Sequence, residues 1–205
     1  MCGFLSAIIT RPGRIFANGL SGHAELAEQH IKRENGIGRQ TYWEWEADPR
    51  KLPADPLQVR NGEDPPEVVR VASDRLLAEL ASANGFLPSL PNVAVFRDGS
   101  HGPLKSGQVA VMLGGTIGCV RGGHIGYVYG GTIGCVDGGT IGYVYGGHIG
   151  YVDGGHIDRV DGGTIGYVDG SSTVTTYTGV VLNLSDNAVQ IDRSGGTPVV
   201  HVAEP

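Results

Sequence analysis

Residues 114–169 form seven consecutive octads, from GGTIGCVR to GGTIGYVD, that differ at only a few letters. Positions 1 and 2 of the octad are always Gly, position 4 is always Ile and position 7 is always Val. Position 5 is Gly in every copy except one, where Asp158 replaces it. All other variation is confined to position 3 (Thr or His), position 6 (Tyr, Cys or Arg) and position 8 (Asp, Tyr or Arg).

Each octad must bury apolar surface to offset the entropy of ordering it, and Ile and Val are its invariant apolar residues. They stand three apart, which in an unbroken strand puts them on opposite faces. The strand must therefore bend between them, and the glycine at position 5 permits the bend. The Gly-Gly pair makes the corner. The expected product is a β-solenoid with an aliphatic interior and outward columns at positions 3, 6 and 8; Arg159 at position 6 fits an outward column, since an unpaired buried Arg is costly. The variable positions agree at 5 of 18 comparisons for a lag of 8, 7 of 15 for a lag of 16 and 6 of 12 for a lag of 24. Two or three octads per coil both exceed one.

The repeats begin near Ser106 with the worn octad SGQVAVML, and the phase continues through GSSTVTTY, TGVVLNLS, DNAVQIDR and SGGTPVVH. Solenoids need atypical terminal repeats as caps. The expected organisation is thus a small α+β head over 1–105, a solenoid over 106–172, and degenerate octads or a β cap over 173–205. In the head, FLSAIIT reads as a strand stopped by the turn at 11–14, after which Ile15-Phe16-Ala17 returns as a hairpin. Ser21 caps a helix over HAELAEQHIKREN. Trp43 and Trp45 alternate with Glu44 and Glu46 as in a half-buried strand. Pro65 and Pro66 open a second helix whose apolar stripe is Val69, Ala72, Leu76, Leu77 and Leu80, and PNVAVFRDG adds a short strand.

The octads resemble those of other β-solenoids, the pentapeptide-repeat proteins and the ice-nucleation type. Read from valine, Val136-Asp137-Gly138 and Val144-Tyr145-Gly146 are similar to the V-x-G-x-x-x-x-x pattern of intertwined trimeric phage β-helices, and that likeness implies a trimer. The layout as a whole resembles a family of bacterial and phage proteins that start with a CGFLSAI-like strand and end in octads. That resemblance implies a phage- or mobile-element-associated inhibitor or scaffold and carries no established activity.

The formal charge is −6. Residues 1–105 hold 13 acidic and 12 basic residues and 106–205 hold 8 and 3, so the excess negative charge belongs to the repeats. This argues against binding nucleic acid through phosphates. Asp137, Asp153, Asp161 and Asp169 raise the opposite idea, an acidic DNA mimic. Net −5 along a rod of roughly 20–30 Å is about one charge per 5 Å, far thinner than the one per ~1.7 Å of a duplex. Tyr127, Tyr129, Tyr143, Tyr145, Tyr151 and Tyr167 suit protein contacts better, since Tyr is enriched at interface hot spots. His124, His148 and His156 share position 3, but Thr fills the intervening slots irregularly, so they read as a surface column and no metal is expected.

Met1-Cys2-Gly3-Phe4 is similar to the start of class II glutamine amidotransferases, a resemblance that implies a nucleophilic Cys2 using its own α-amine. A head of 105 residues with few strands is too small for their paired sheets. Cys2, Cys119 and Cys135 are an odd number without framework spacing and are read as free thiols of a reducing compartment. The apolar run at the N-terminus is too short to span a bilayer, and a cytoplasmic location is expected. The reading is of a non-enzymatic interaction protein without cofactor or metal, acting on a protein partner through its Tyr, Asp and His columns, with dimer and trimer both open.

Overall fold

The computed structural model describes residues 5–17, 42–58, 64–178, 180–184, 188–195 and 197–203. The chain divides into two compact units, 1–95 and 96–205.

The first unit contains an antiparallel sheet ordered β2-β1-β3-β4, from β1 (Leu5–Thr10), β2 (Ile15–Ala17), β3 (Tyr42–Ala47) and β4 (Leu57–Gln58). The Arg11–Arg14 turn returns the chain as expected, with Ile8 opposite Phe16. Trp43 and Trp45 are buried, but so is Glu44. The alternation predicts a solvated face for Glu44. Instead β1 buries Ala7, Ile8, Ile9 and Thr10 in succession, which only a sheet covered on both faces can do. Helix α1 (Glu67–Ser82) packs against β1 and β3 through Val69, Ala72, Ser73, Leu76 and Leu80, with Leu77 only half-buried. Both prolines precede the helix: Pro66 is its N-cap and has no N–H to leave unpaired, while its carbonyl accepts from the Val69 and Arg70 N–H groups. Strand β5 (Gly85–Leu87) and β6 (Leu90–Phe96) form a hairpin. The Ser21 helix lies outside the described residues.

The second unit is a β-solenoid. Its strands are β7 (Ser100–His101), β8 (Gln108–Met112), β9 (Thr116–Val120), β10 (His124–Val128), β11 (Thr132–Asp137), β12 (Thr140–Val144), β13 (His148–Asp153), β14 (His156–Val160), β15 (Thr164–Asp169), β16 (Thr173–Thr176), β17 (Val180–Leu184), β18 (Val189–Asp192) and β19 (Val199–Val202). Even-numbered strands β8 to β18 pair in parallel as one sheet, and odd-numbered strands β7 to β17 as the other. Ile125 lies opposite Ile141 and Ile133 opposite Ile149. The register step is therefore 16 residues, and a coil is two octads. Every Ile at position 4 and every Val at position 7 of the seven octads is at most 2% exposed, so the aliphatic interior is complete within one chain.

The array starts one octad earlier than expected. Ser100 pairs with Thr116 and Leu104 bridges to Val120, both at the 16-residue step, so Asp98–Lys105 is an octad with Gly99, Gly102 and Leu104 in their slots. His101 replaces its Ile and stacks on Phe96 at 3.9 Å. At the other end SGGTPVVH is not a further coil. The chain turns at Ser194–Gly195 and β19 pairs antiparallel with β18. Pro198 stands at position 5 of that octad and has no N–H to give a parallel ladder.

Position 5 glycine does more than bend the strand. A Cβ on Gly134 would stand 2.4 Å from the Gly118 carbonyl oxygen, and on Gly150 it would stand 2.5 Å from that of Gly134. Coils stack too closely there for any side chain. Next to the exceptional Asp158, the register between β14 and β16 slips between Ile157 and Val160.

Candidate interaction faces

A coil of two octads divides the outward columns between two faces. On the even-strand face, position 6 runs Val111, Tyr127, Tyr143, Arg159 and position 8 runs Tyr129, Tyr145, Asp161, Tyr177. We call this the tyrosine face. On the odd-strand face, position 6 runs Cys119, Cys135, Tyr151, Tyr167 and position 8 runs Lys105, Arg121, Asp137, Asp153, Asp169. This is the acidic face.

Tyr127, Tyr129, Tyr143 and Tyr145 form a two-by-two block. Tyr127 stacks on Tyr143 at 5.3 Å and Tyr129 on Tyr145 at 5.0 Å, with the rings within 18° of parallel. The pairs are joined sideways at 6.3 and 6.1 Å. Parallel strands set the spacing, since coils repeat at about 4.8 Å and a ring at the same register position meets its neighbour face to face. The corner fixes the second column: Tyr129 N–H donates to the Met112 carbonyl and Tyr145 N–H to that of Val128, both at 2.8 Å. Tyr127 is 5% exposed and Tyr145 40%. Position 6 therefore does not leave every ring in solvent; Tyr127 is the foundation of the block and Tyr145 its open edge.

Beyond the block the chemistry changes. Arg159 Nε donates to both Asp161 carboxylate oxygens at 2.8 Å, and the guanidinium lies 4.0 Å over the Tyr177 ring. The bond to Asp161 raises the Arg159 pKa further above its ordinary value. Asp161 is thus committed to an ion pair on the tyrosine face, while Asp137, Asp153 and Asp169 stand in register on the other.

The three Asp residues of the acidic face also have a corner to make. Positive φ falls on the second glycine after Tyr129 and Tyr145, at Gly131 and Gly147. After Asp137, Asp153 and Asp169 it falls on the first, at Gly138, Gly154 and Gly170. Asp-Gly suits such a turn because the carboxylate accepts a nearby backbone N–H; Asp169 Oδ1 accepts from Gly170 N–H at 2.6 Å. Arg121 and Asp161 enter the second-glycine corner instead, at Gly123 and Gly163, so in these octads the first-glycine corner always follows Asp, but Asp does not always make it.

The histidines separate too. His124 and His156 lie on the tyrosine face with Thr140 between them, and His148 lies on the acidic face. Among the described residues no group of three His, Cys, Asp or Glu side chains is placed to hold a metal ion. His156 Nε2 meets Asp158 Oδ1 at 2.8 Å. Burial lowers the His124 pKa, opposed by the charge of Asp158.

Cys119 and Cys135 are joined in a disulfide, not free. They share one column at the coil repeat, with Cα atoms 4.5 Å apart, inside the range a disulfide spans. The 16-residue separation that marks the coil also marks the pair, and reading it needed only the coil length. The case for a reducing compartment rested on unpaired thiols and loses its premise. Cys2 lies outside the described residues. No helix is long and apolar enough to cross a membrane among the described residues. Compared with family models, with curated proteins and with solved structures, the chain matches none.

Proposed function

We propose that this chain is a non-enzymatic interaction protein that binds a protein partner through the tyrosine face of its solenoid. The observation that carries the reading is the block of Tyr127, Tyr129, Tyr143 and Tyr145, stacked at 5.0 to 5.3 Å between coils. Aromatic rings supply much contact area with few rotatable bonds, and rings already ordered by their neighbours lose little entropy on binding. The block presents ring edges and hydroxyl groups rather than open ring faces, which suits the mixed polar and apolar surface of a protein more than a flat sugar or base. It is bordered by the Arg159–Asp161 ion pair, a polar rim beside an aromatic centre.

A purely stiffening role for the ladder makes a different prediction. The paired change Tyr129→Ala and Tyr145→Ala removes the outer column and leaves Tyr127 and Tyr143 to hold the coil. Binding of the partner, measured by calorimetry once it is identified by crosslinking, is expected to weaken at least about 100-fold, with the far-ultraviolet dichroism unchanged. Undiminished binding by a folded variant rejects the tyrosine face as the interface. An intertwined trimer is less well supported, because Ile125, Ile141 and Ile157 are fully buried by this chain's own coils and need no residues from two further chains.

A further inference from the structure

Position 8 of the acidic face carries Lys105, Arg121, Asp137, Asp153 and Asp169 at the strand ends of successive coils, two cations followed by three carboxylates, the carboxylates in strand register with one another. Lys105, Arg121, Asp137 and Asp153 are all exposed. None of these four forms an ion pair with another described residue. A column divided this way is complementary to itself when reversed. We propose that the acidic face pairs with the acidic face of a second copy of this chain, the two solenoids running antiparallel.

The register follows from the charges. A two-fold axis parallel to the strands, passing between the Cys119 and Cys135 coils, keeps position 8 facing position 8 and reverses the coil order. Arg121 then meets Asp137 of the second copy and Lys105 meets Asp153, and symmetry repeats both pairs. An axis through the Asp137 coil still sets Lys105 against Asp169 and Arg121 against Asp153, but it places Asp137 against Asp137 of the second copy and draws on the Asp169 carboxylate, so it is disfavoured. Asp169 falls outside the overlap, and its carboxylate is already engaged by the Gly170 N–H at 2.6 Å.

The neighbouring column agrees with this choice. Position 6 opposes the disulfide of one copy to that of the other at the axis. It also sets Tyr151, at 59% the most exposed tyrosine ring, against the exposed Pro103 of the second copy. Tyr151 projects where the facing position offers an apolar ring.

Size decides the strength. Four overlapping coils at about 4.8 Å, with strands of about 20 Å, give roughly 400 Å² per copy, or about 800 Å² in total. That lies below the ~1,200 Å² of stable interfaces. The dimer is therefore weak and reversible, its orientation set by the charge pairs and its affinity sensitive to salt.

Sedimentation equilibrium over a concentration series tests this on the full chain. At low ionic strength the mass is expected to rise toward that of two chains, and raising salt from about 0.05 to 0.5 M, which shortens the screening length severalfold, is expected to weaken the dimer at least tenfold. Arg121→Asp alone and Asp137→Arg alone are each expected to be monomeric, and the two together to restore the dimer. If Asp137→Arg disturbs its corner, seen as a lowered melting temperature, Lys105→Asp with Asp153→Arg makes the second swap. A monomer at every concentration overturns the proposal and leaves the face to some other partner. A dimer indifferent to salt, or single reversals as dimeric as the unaltered chain, or swaps that fail to restore it in folded protein, overturn it as well. The tyrosine face plays no part, so Tyr129→Ala with Tyr145→Ala is expected to leave the dimer intact.

Discussion

On the tyrosine face the repeat builds a block of four stacked rings; on the acidic face the same octad positions carry a disulfide, one tilted pair of tyrosines and a column of mixed charge. One repeat yields two surfaces because a coil holds two octads. Residues 16 apart become neighbours in one sheet, while residues 8 apart fall on opposite sheets. Like residues therefore gather by alternate octads: Tyr129 with Tyr145, Cys119 with Cys135, Asp137 with Asp153. The interior does not distinguish the faces, since Ile and Val are equally buried on both. Stability common to the rod comes from the invariant letters, and difference between faces from the variable ones.

The largest expected effect concerns how each face ties adjacent coils together. The acidic face uses a covalent bond, closing a 16-residue segment between Cys119 and Cys135. Loop-closure entropy for such a segment is about 3 kcal/mol. Reduction is expected to lower the unfolding free energy by about that amount, read as a shift in urea midpoint. The double variant Cys119→Ser with Cys135→Ser is expected to start at the lower value and show no response to reductant. Equal midpoints with and without reductant in the unaltered chain would mean that the bond contributes nothing.

Close stacking at position 5 gives the next effect. Gly134→Ala puts its Cβ against the Gly118 carbonyl, whereas an added Cβ at Gly118 itself meets nothing within 4 Å. The first is expected to cost about 2 kcal/mol by forcing backbone apart, the second within about 0.5 kcal/mol of zero. The pair differs in one coil of position and not in chemistry. Similar losses at both sites would mean that glycine is required for bending alone.

The tyrosines separate the faces a third time. Tyr143 sits inside the block, with Tyr127 at 5.3 Å and Tyr145 at 6.1 Å. Tyr151 has one aromatic neighbour, Tyr167, at 5.7 Å and tilted by 36°. Tyr143→Ala is expected to destabilise by about 1–2 kcal/mol from lost stacking and area. Tyr151→Ala is expected to change stability by less than about 0.5 kcal/mol. Chemical denaturation of the two variants checks the ranking.

The solenoid was legible in the sequence because its signal is repeated: seven copies expose which letters never change, and the two aliphatic ones, Ile and Val, are the buried ones. The coil length was only half legible. Lags of 16 and 24 scored alike because Thr, Tyr and Asp recur often enough to match by chance, and the register of Ile125 with Ile141 was needed to separate them. With that length in hand, the disulfide and both faces follow from the letters alone. The worn octad at Asp98–Lys105 escaped notice because His101 and Pro103 mask its phase. Burial of Glu44 and Tyr127 was not legible, since both depend on what lies across a surface and not on the pattern along a strand.

The smallest expected effect is a pH dependence peculiar to the tyrosine face. His124 lies beside Thr140 in the position 3 column, and burial lowers its pKa below the ordinary 6.5, with the Asp158 charge opposing the shift. The folded chain thus prefers the neutral ring. As pH falls through the ordinary value, the unfolded chain takes up a proton before the folded chain does, so this contribution is present above that value and is lost on acidification. Urea midpoints between about pH 7.5 and pH 5, the range in which histidine titrates, are expected to fall more steeply for the unaltered chain than for His124→Gln. Asp158→Asn removes the opposing charge and is expected to steepen the fall, because the folded ring then resists protonation further. The opposite order, with Asp158→Asn flattening the profile, would mean that the carboxylate does not oppose the loss at His124.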